Sequence, residues 1–160
     1  MATSQTHLSA YNPEDLPDVT NKRFGIVVSQ WNDEITNGLL AGAVETLQKA
    51  GVTEDRIFIW EVPGSFELVY GCAQMAKQKA PDAIIALGSV IRGETAHFDF
   101  VCSGVTQGIT QLNTQLDLPV IFGVLTDDTL QQAQDRSGGR HGNKGIEAAV
   151  TAMKMTSFNP

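Results

Sequence analysis

The strongest constraint in this chain is a repeated alternation. Short continuous apolar runs are each followed by a longer stretch whose apolar residues recur every three or four positions. Phe24-Gly25-Ile26-Val27-Val28 is the first run, and such an unbroken run of this length suits a strand buried on both faces. Asp33 to Ala50 then carries Ile35, Leu39, Leu40, Ala43, Val44 and Leu47 on one helical stripe, and Gly51 follows as a helix-ending residue. The pattern repeats. RIFIWEV (56–62) is a second strand. Ser65 to Gln78 is a second helix, with Phe66, Val69, Tyr70, Ala73 and Ala76 expected inward. DAIIALGSVI (82–91) is a third strand, followed by a long helix with Phe98, Val101, Val105, Ile109, Leu112 and Leu116 on one face. PVIFGVL (119–125) is the fourth strand. A short helical piece near 129–136, a Gly-rich break and a last helix, with Ile146, Ala149, Val150 and Met153 inward, complete the chain.

Strands and helices in this order form right-handed βαβ units. The expected fold is α/β: a flavodoxin-like three-layer sandwich, with a four-stranded parallel sheet and helices on both faces. Residues 1–21, with Asn12-Pro13 and Leu16-Pro17, read as an N-terminal arm, and 22–160 as a single domain. The arm lacks Lys, Arg and an apolar segment, so it is not a secretory signal. No apolar run approaches the ~20 residues that span a bilayer, which excludes a transmembrane protein. Cys72 and Cys102 both fall in patterns that read as buried helix faces; reduced core thiols in a cytoplasmic protein are expected, with a lone disulfide as the alternative.

In sheets of this kind ligands bind beyond the carboxyl ends of the strands. Chemistry is therefore sought just after Val28, Val62, Ile91 and Leu125. Trp31 follows the first strand, where its ring either packs in the core or stacks on a flat heterocycle. After the second strand, Pro63-Gly64 turns the chain into Ser65, Phe66 and Glu67. Ser65 suits a helix cap, while Glu67 either complements the helix dipole or accepts hydrogen bonds from a hydroxyl-rich ligand. After the third strand, Gly93-Glu94-Thr95 precedes a helix, an arrangement that can gather backbone donors around a phosphate. His97 stands in the first turn of that helix. Beside a helix end and a candidate phosphate cradle, its imidazole is placed to act as a proton shuttle. Thr126 to Thr129 reads as a helix-capping turn without chemistry.

The net charge of −7 disfavours nucleic acid as a partner. Charge is nevertheless uneven: no Lys or Arg occurs from Gly93 to Asp135, then Arg136, Arg140 and Lys144 follow. Arg136 can present a bidentate fork to a phosphate. No CxxC, HExxH, GxSxG or GxGxxG pattern is present, so neither a metal, an acyl-enzyme nor a dinucleotide is implied. The remaining inventory suits a cofactor-free reaction between a flat polyhydroxylated molecule and a small phosphate ester.

Several segments match one known family in order. They are Ser29–Asn32 with Leu39-Leu40-Ala41-Gly42-Ala43, VPGSFEL at 62–68, ALGSVIRGETAHFDFV at 86–101, PVIFGVLT at 119–126, and Arg136 with Gly142-Asn143-Lys144-Gly145. Across residues 22–155 the chain resembles the lumazine synthases. The resemblance implies condensation of 5-amino-6-(D-ribitylamino)pyrimidine-2,4-dione with 3,4-dihydroxy-2-butanone 4-phosphate, without cofactor or metal, in riboflavin biosynthesis. By position it implies that Trp31 stacks on the pyrimidine and Asn32 lies beside the ribityl chain. Ser65, Phe66 and Glu67 would hold that chain, and Val90 and Ile91 would contact the heterocycle. Gly93, Glu94 and Thr95 would cradle the phosphate, His97 would transfer protons, and Arg136 would clamp the phosphate. Phe122, Lys144 and Arg136 would reach the site from a neighbouring subunit. A homopentamer follows from that sharing, and the short 137–142 linker resembles members that build icosahedral shells. The arm would then add an edge strand to the next subunit. Riboflavin synthase, which handles the same heterocycle, is a candidate partner. Glu94 departs from the family, where this position is often small. The competing reading is a flavodoxin-like flavin-binding protein, or a cage whose site is inactive.

Overall fold

The computed structural model describes residues 7–158. Strands β1 (Phe24–Ser29), β2 (Ile57–Val62), β3 (Ala83–Ile91) and β4 (Val120–Asp127) form one fully parallel sheet in the order β2-β1-β3-β4. Helices α1 (Asp33–Lys49), α2 (Leu68–Lys79), α3 (His97–Gln115) and α5 (Lys144–Met155) link and flank the strands, and a short α4 (Leu130–Arg136) follows β4. This is the flavodoxin-like sandwich expected from the alternation.

Successive strand side chains point to opposite faces, so the two central strands feed two cores. Phe24, Ile26 and Val28 of β1 and Ala83, Ile85 and Leu87 of β3 pack with Leu39, Ala43 and Leu47 of α1 and Ala149 and Met153 of α5. Val27, Ile84 and Ala86 face the other way, onto Leu68, Cys72 and Met75 of α2 and Val105 and Ile109 of α3. Every residue of β1 is buried. Edge strand β2 is only partly covered, with Ile59 exposed. Within the expected arm, Val19 is buried in the first core and Leu16 packs against it.

Two helices depart in part from the expected faces. On α2 the fully buried residues are Leu68, Gly71, Cys72 and Met75; of the expected stripe, Val69, Ala73 and Ala76 pack half-buried against the second core, while Phe66 and Tyr70 are exposed. Residues Ser65–Glu67 form a separate 3-10 turn, which winds with three residues per turn and sets α2 going one step later. Tyr70 is left 72% exposed. On α5, Gly145, Ala148, Ala149, Ala152 and Met153 are buried, whereas Ile146 and Val150 are half-buried. Small residues face α1 there, allowing the two helices to pack closely. Cys72 is fully buried, and desolvation pushes its thiol up to about 12. Cys102 is only half-buried, off the buried face of α3, so it is not a core residue; both thiols are free.

The Gly-rich break is an antiparallel hairpin, β5 (Ser137–Gly139) with β6 (Gly142–Asn143). Asn143 holds it in place. Its side-chain amide donates to Gly38 O (2.8 Å) and Ser137 O (3.3 Å), and its Oδ1 accepts from Gly145 N (2.8 Å), capping α5. Arm residue Leu8 donates its N–H to His141 O at 2.8 Å, and Ser9 Oγ accepts from Asn143 N at 2.9 Å.

Candidate active site

The carboxyl ends of β1, β2 and β3 open into a cavity of about 440 Å³. Its walls are aromatic and aliphatic (Trp31, Phe66, Phe100, Val90, Ile91, Val101), with Asn32, Ser65, Glu67, Ser89 and His97 among them. Apolar walls carrying a few convergent polar groups are the usual make-up of a small-molecule site.

The loop after β1 is fastened to the loop after β2. Gln30 donates its N–H to Val62 O (2.8 Å) and Trp31 to Pro63 O (3.0 Å). These bonds carry the Trp31 ring over Gly64. A Cβ at residue 64 would stand 2.7 Å from that ring and 2.9 Å from Glu67 Oε2, so only glycine lets indole and carboxylate lie together here. The ring is 66% exposed, one face against the loop and the other available to a planar ligand.

Asn32 occupies the left-handed region (φ 60°, ψ 47°), which asparagine tolerates better than most residues. Its Nδ2 donates to Ser89 O at 2.9 Å, bridging the ends of β1 and β3 across the cavity floor. The hydroxyls of Ser65 and Ser89 are buried there without a hydrogen-bond partner among the described residues. Buried polar groups are normally satisfied, so this floor retains capacity for a hydroxylated ligand or a water.

Gly93, Glu94 and Thr95 form the exposed approach to α3, and Thr95 Oγ1 accepts from His97 N at 3.4 Å. A Cβ at Gly93 would meet nothing within 4 Å, so this chain leaves open space beside that backbone. Glu94 is exposed and makes no hydrogen bond or ion pair with another described residue. Beside them Arg92 is fully engaged: its Nε meets Asp128 at 2.8 Å, its Nη1 meets Asp99 at 3.2 Å, and its guanidinium lies 4.1 Å from the Phe98 ring centroid. These carboxylates hold it more firmly protonated than usual, with Asp128 contributing most.

Sequence reasoning placed Trp31, Asn32, Ser65, Phe66, Glu67, Val90, Ile91 and His97 at one site, and the fold brings all eight to the cavity wall. Phe122, Arg136 and Lys144 stand elsewhere within this chain. Arg136 and Lys144 line a second cavity with Asp127, while Phe122 and Lys144 line a third between β4 and α5. Ser89, Phe100 and Val101 were missed. Phe100 was legible in principle: Phe98 and Phe100 are two residues apart and cannot share a helix face, so one had to leave the core. It is 72% exposed at the cavity mouth. Thr126 to Thr129 proves more than a cap. Thr129 does form a reciprocal capping box with Gln132, but Asp127 belongs to β4 and is buried.

Together these features define an α/β protein of the flavodoxin-like class, with a small-molecule pocket at the carboxyl edge of its parallel sheet. The profile of the 6,7-dimethyl-8-ribityllumazine synthase family matches residues 21–159, and the chain belongs to that family. It is 56% identical to the 6,7-dimethyl-8-ribityllumazine synthase of Parabacteroides distasonis, over 99% of both chains. It is also 56% identical to that of Phocaeicola vulgatus, over 99% of this chain and 94% of the relative. With the enzyme of Flavobacterium johnsoniae the identity is 57%, over 97% of this chain and 82% of the relative. Among the described residues no helix is long and apolar enough to cross a membrane.

Proposed function

We propose that this chain is a transferase that condenses 5-amino-6-(D-ribitylamino)pyrimidine-2,4-dione with 3,4-dihydroxy-2-butanone 4-phosphate to 6,7-dimethyl-8-ribityllumazine, the penultimate step of riboflavin biosynthesis. One observation carries the reading: a single cavity gathers the Trp31 ring, Asn32, the Ser65–Glu67 turn, the Val90–Ile91 strand end and His97. The indole stacks on the pyrimidine. Asn32, Ser65, Phe66 and Glu67 hold the ribityl chain, and Val90 and Ile91 offer backbone to the heterocycle. Gly93, Glu94 and Thr95 present backbone to the phosphate, with the Glu94 carboxylate turned to solvent.

The 5-amine attacks the ketone, and the carbinolamine dehydrates to a Schiff base. Phosphate is eliminated, the resulting enol tautomerises to a ketone, and the second nitrogen attacks that carbonyl and closes the ring with loss of a second water. His97 moves protons in these steps, a contribution of about 10²–10⁴-fold. Most of the acceleration comes from aligning two substrates in one pocket.

The phosphate clamp Arg136, the pocket residue Phe122 and Lys144 serve the cavity of an adjacent subunit, which makes the working unit a homopentamer. Exposure of Phe66 and Phe100 at the cavity, and of Tyr70 on α2, supports a partner surface there. The short 137–142 linker supports the shell-forming arrangement. Cytoplasmic location and a functional link to riboflavin synthase complete the reading.

Incubating the protein with both substrates and following lumazine fluorescence tests the activity. Mixed oligomers of Trp31→Ala and Arg136→Ala chains test the shared site. Restored turnover is expected, because some interfaces then pair an intact Trp31 with an intact Arg136. Mixtures as inactive as the separate variants would refute sharing, and light scattering distinguishes pentamer from shell.

A further inference from the structure

At the end of β4 two adjacent carboxylates divide two arginines. Exposed Asp128 takes Arg92, which also holds Asp99 and the Phe98 ring. Buried Asp127 faces Arg136, but at 4.0 Å, and the same Arg136 Nη1 donates to Gln132 O of its own helix at 3.2 Å. Arg92 is therefore committed and Arg136 is loosely held. The second carboxylate oxygen of Asp127 is buried without a hydrogen-bond partner among the described residues. Its backbone oxygen accepts from Arg92 N at 2.9 Å, and the residue pairs in register with Ile91. A buried anion thus sits where the Gly93–Thr95 approach begins, and among the described residues its ion-pair partner is Arg136, at 4.0 Å.

Resting on the reading of Arg136 as the phosphate clamp, we propose that Asp127 is a positioning residue for Arg136. It holds the guanidinium when no anion is bound and competes with the substrate phosphate for it, so that anion binding is coupled to proton uptake by Asp127. The charged groups facing Asp127 are few. Arg136 comes from α4 and Asp128 from its own segment. Lys144, at the start of α5, lines the same cavity but is paired with Glu147. Arg92 is neutralised by Asp128 and Asp99. Burial already pushes the Asp127 carboxyl above its ordinary range; Arg136 opposes that shift and Asp128 adds to it. When an incoming anion draws the guanidinium away, the opposing influence is lost and a negative neighbour is gained. Both changes favour the protonated acid. By linkage, anion binding tightens as pH falls toward the titration of Asp127.

Sulfate is the suitable probe, because it stays dianionic across the range in which carboxylates and His titrate. Calorimetry in buffers of different ionisation enthalpy reads both its affinity and the protons taken up. Asp127→Asn keeps an acceptor oxygen for Arg136 and removes the charge. We expect it to bind sulfate at least about threefold tighter at pH 8, with the advantage shrinking toward pH 5. Its proton uptake should fall, while His97→Gln, which removes the other titratable group beside the approach, retains the uptake assigned to Asp127. In turnover, Asp127→Asn should lower KM for the phosphate substrate and leave kcat within about twofold, a split that mere loss of packing does not produce. Wild-type affinity and proton uptake in Asp127→Asn would overturn the proposal. Unaltered sulfate affinity in Arg136→Ala would overturn the clamp itself, so the two failures are distinguishable. If Asp127→Asn does not fold, proton uptake by His97→Gln decides, and its absence refutes the coupling.

Discussion

Asn32 joins backbone conformation to pocket geometry, and two substitutions separate the contributions. Asn32→Gly keeps the left-handed backbone and deletes the bond to Ser89 O, and the larger unfolded-state entropy of glycine is roughly balanced by the strain it relieves at φ 60°. That acceptor lies on the floor of an open cavity, where water can replace the lost donor, so the cost falls at the low end for a buried group, about 1 kcal/mol. Asn32→Ala loses the same bond and also places a Cβ at φ 60°. The left-handed penalty of roughly 1–2 kcal/mol is offset by the smaller unfolded-state entropy of alanine, roughly 0.4–1 kcal/mol relative to glycine. The net is about 1 kcal/mol more for Ala than for Gly, or about 2 kcal/mol in all. Urea unfolding at one protein concentration reads this ladder directly, provided the m-value is unchanged. Both variants should also raise KM for the pyrimidine substrate, because the ends of β1 and β3 are no longer tied. If glycine proves as costly as alanine, the backbone argument is wrong. If both unfold with the wild type, the bridge contributes nothing to stability.

Four further outcomes follow from the site. Gly64→Ala drives a methyl group into the Trp31 ring and the Glu67 carboxylate, so KM for the pyrimidine should rise about tenfold or more with little loss of stability. Gly93→Ala meets nothing in this chain; its melting temperature should stay wild type while KM for the phosphate ester rises, and a lowered melting temperature would contradict the open space described. His97→Ala should retain measurable turnover, about 10²–10⁴-fold below wild type, and complete inactivity with binding intact would show that alignment matters less than argued. Glu94→Ala should leave affinity for the phosphate ester unchanged or improved in steady-state kinetics, since its exposed carboxylate makes no hydrogen bond or ion pair with another described residue.

Much of this molecule was legible because its signals are local. Strand-length apolar runs such as Phe24–Val28 can be satisfied only by burial on both faces, and a parallel sheet supplies it. Once the sheet is parallel, the carboxyl-edge rule locates the pocket, so Trp31, Glu67 and His97 could be named before any coordinates. The helix faces were harder. On α2 two apolar stripes compete, one through Phe66, Val69 and Tyr70, the other through Leu68, Cys72 and Met75. Spacing shows that a helix is amphipathic about its own axis, yet two such stripes leave its rotation undetermined. The 3-10 turn at Ser65–Glu67 buried the second stripe fully, left Val69 half-buried and put Phe66 on the cavity wall.

The chain's own pattern determined the sheet, its parallel sense, the pocket's edge and the residue types gathered there, because each depends on neighbours within a few positions. Tertiary structure alone decided that Arg136, Phe122 and Lys144 stand apart from the Trp31 cavity, that Asn32 bridges to Ser89, and that Asp127 is buried against Arg136 while Asp128 is free to hold Arg92. Burial and pairing of a charge depend on what distant segments bring beside it, and two consecutive aspartates carry no local mark of which one loses its water.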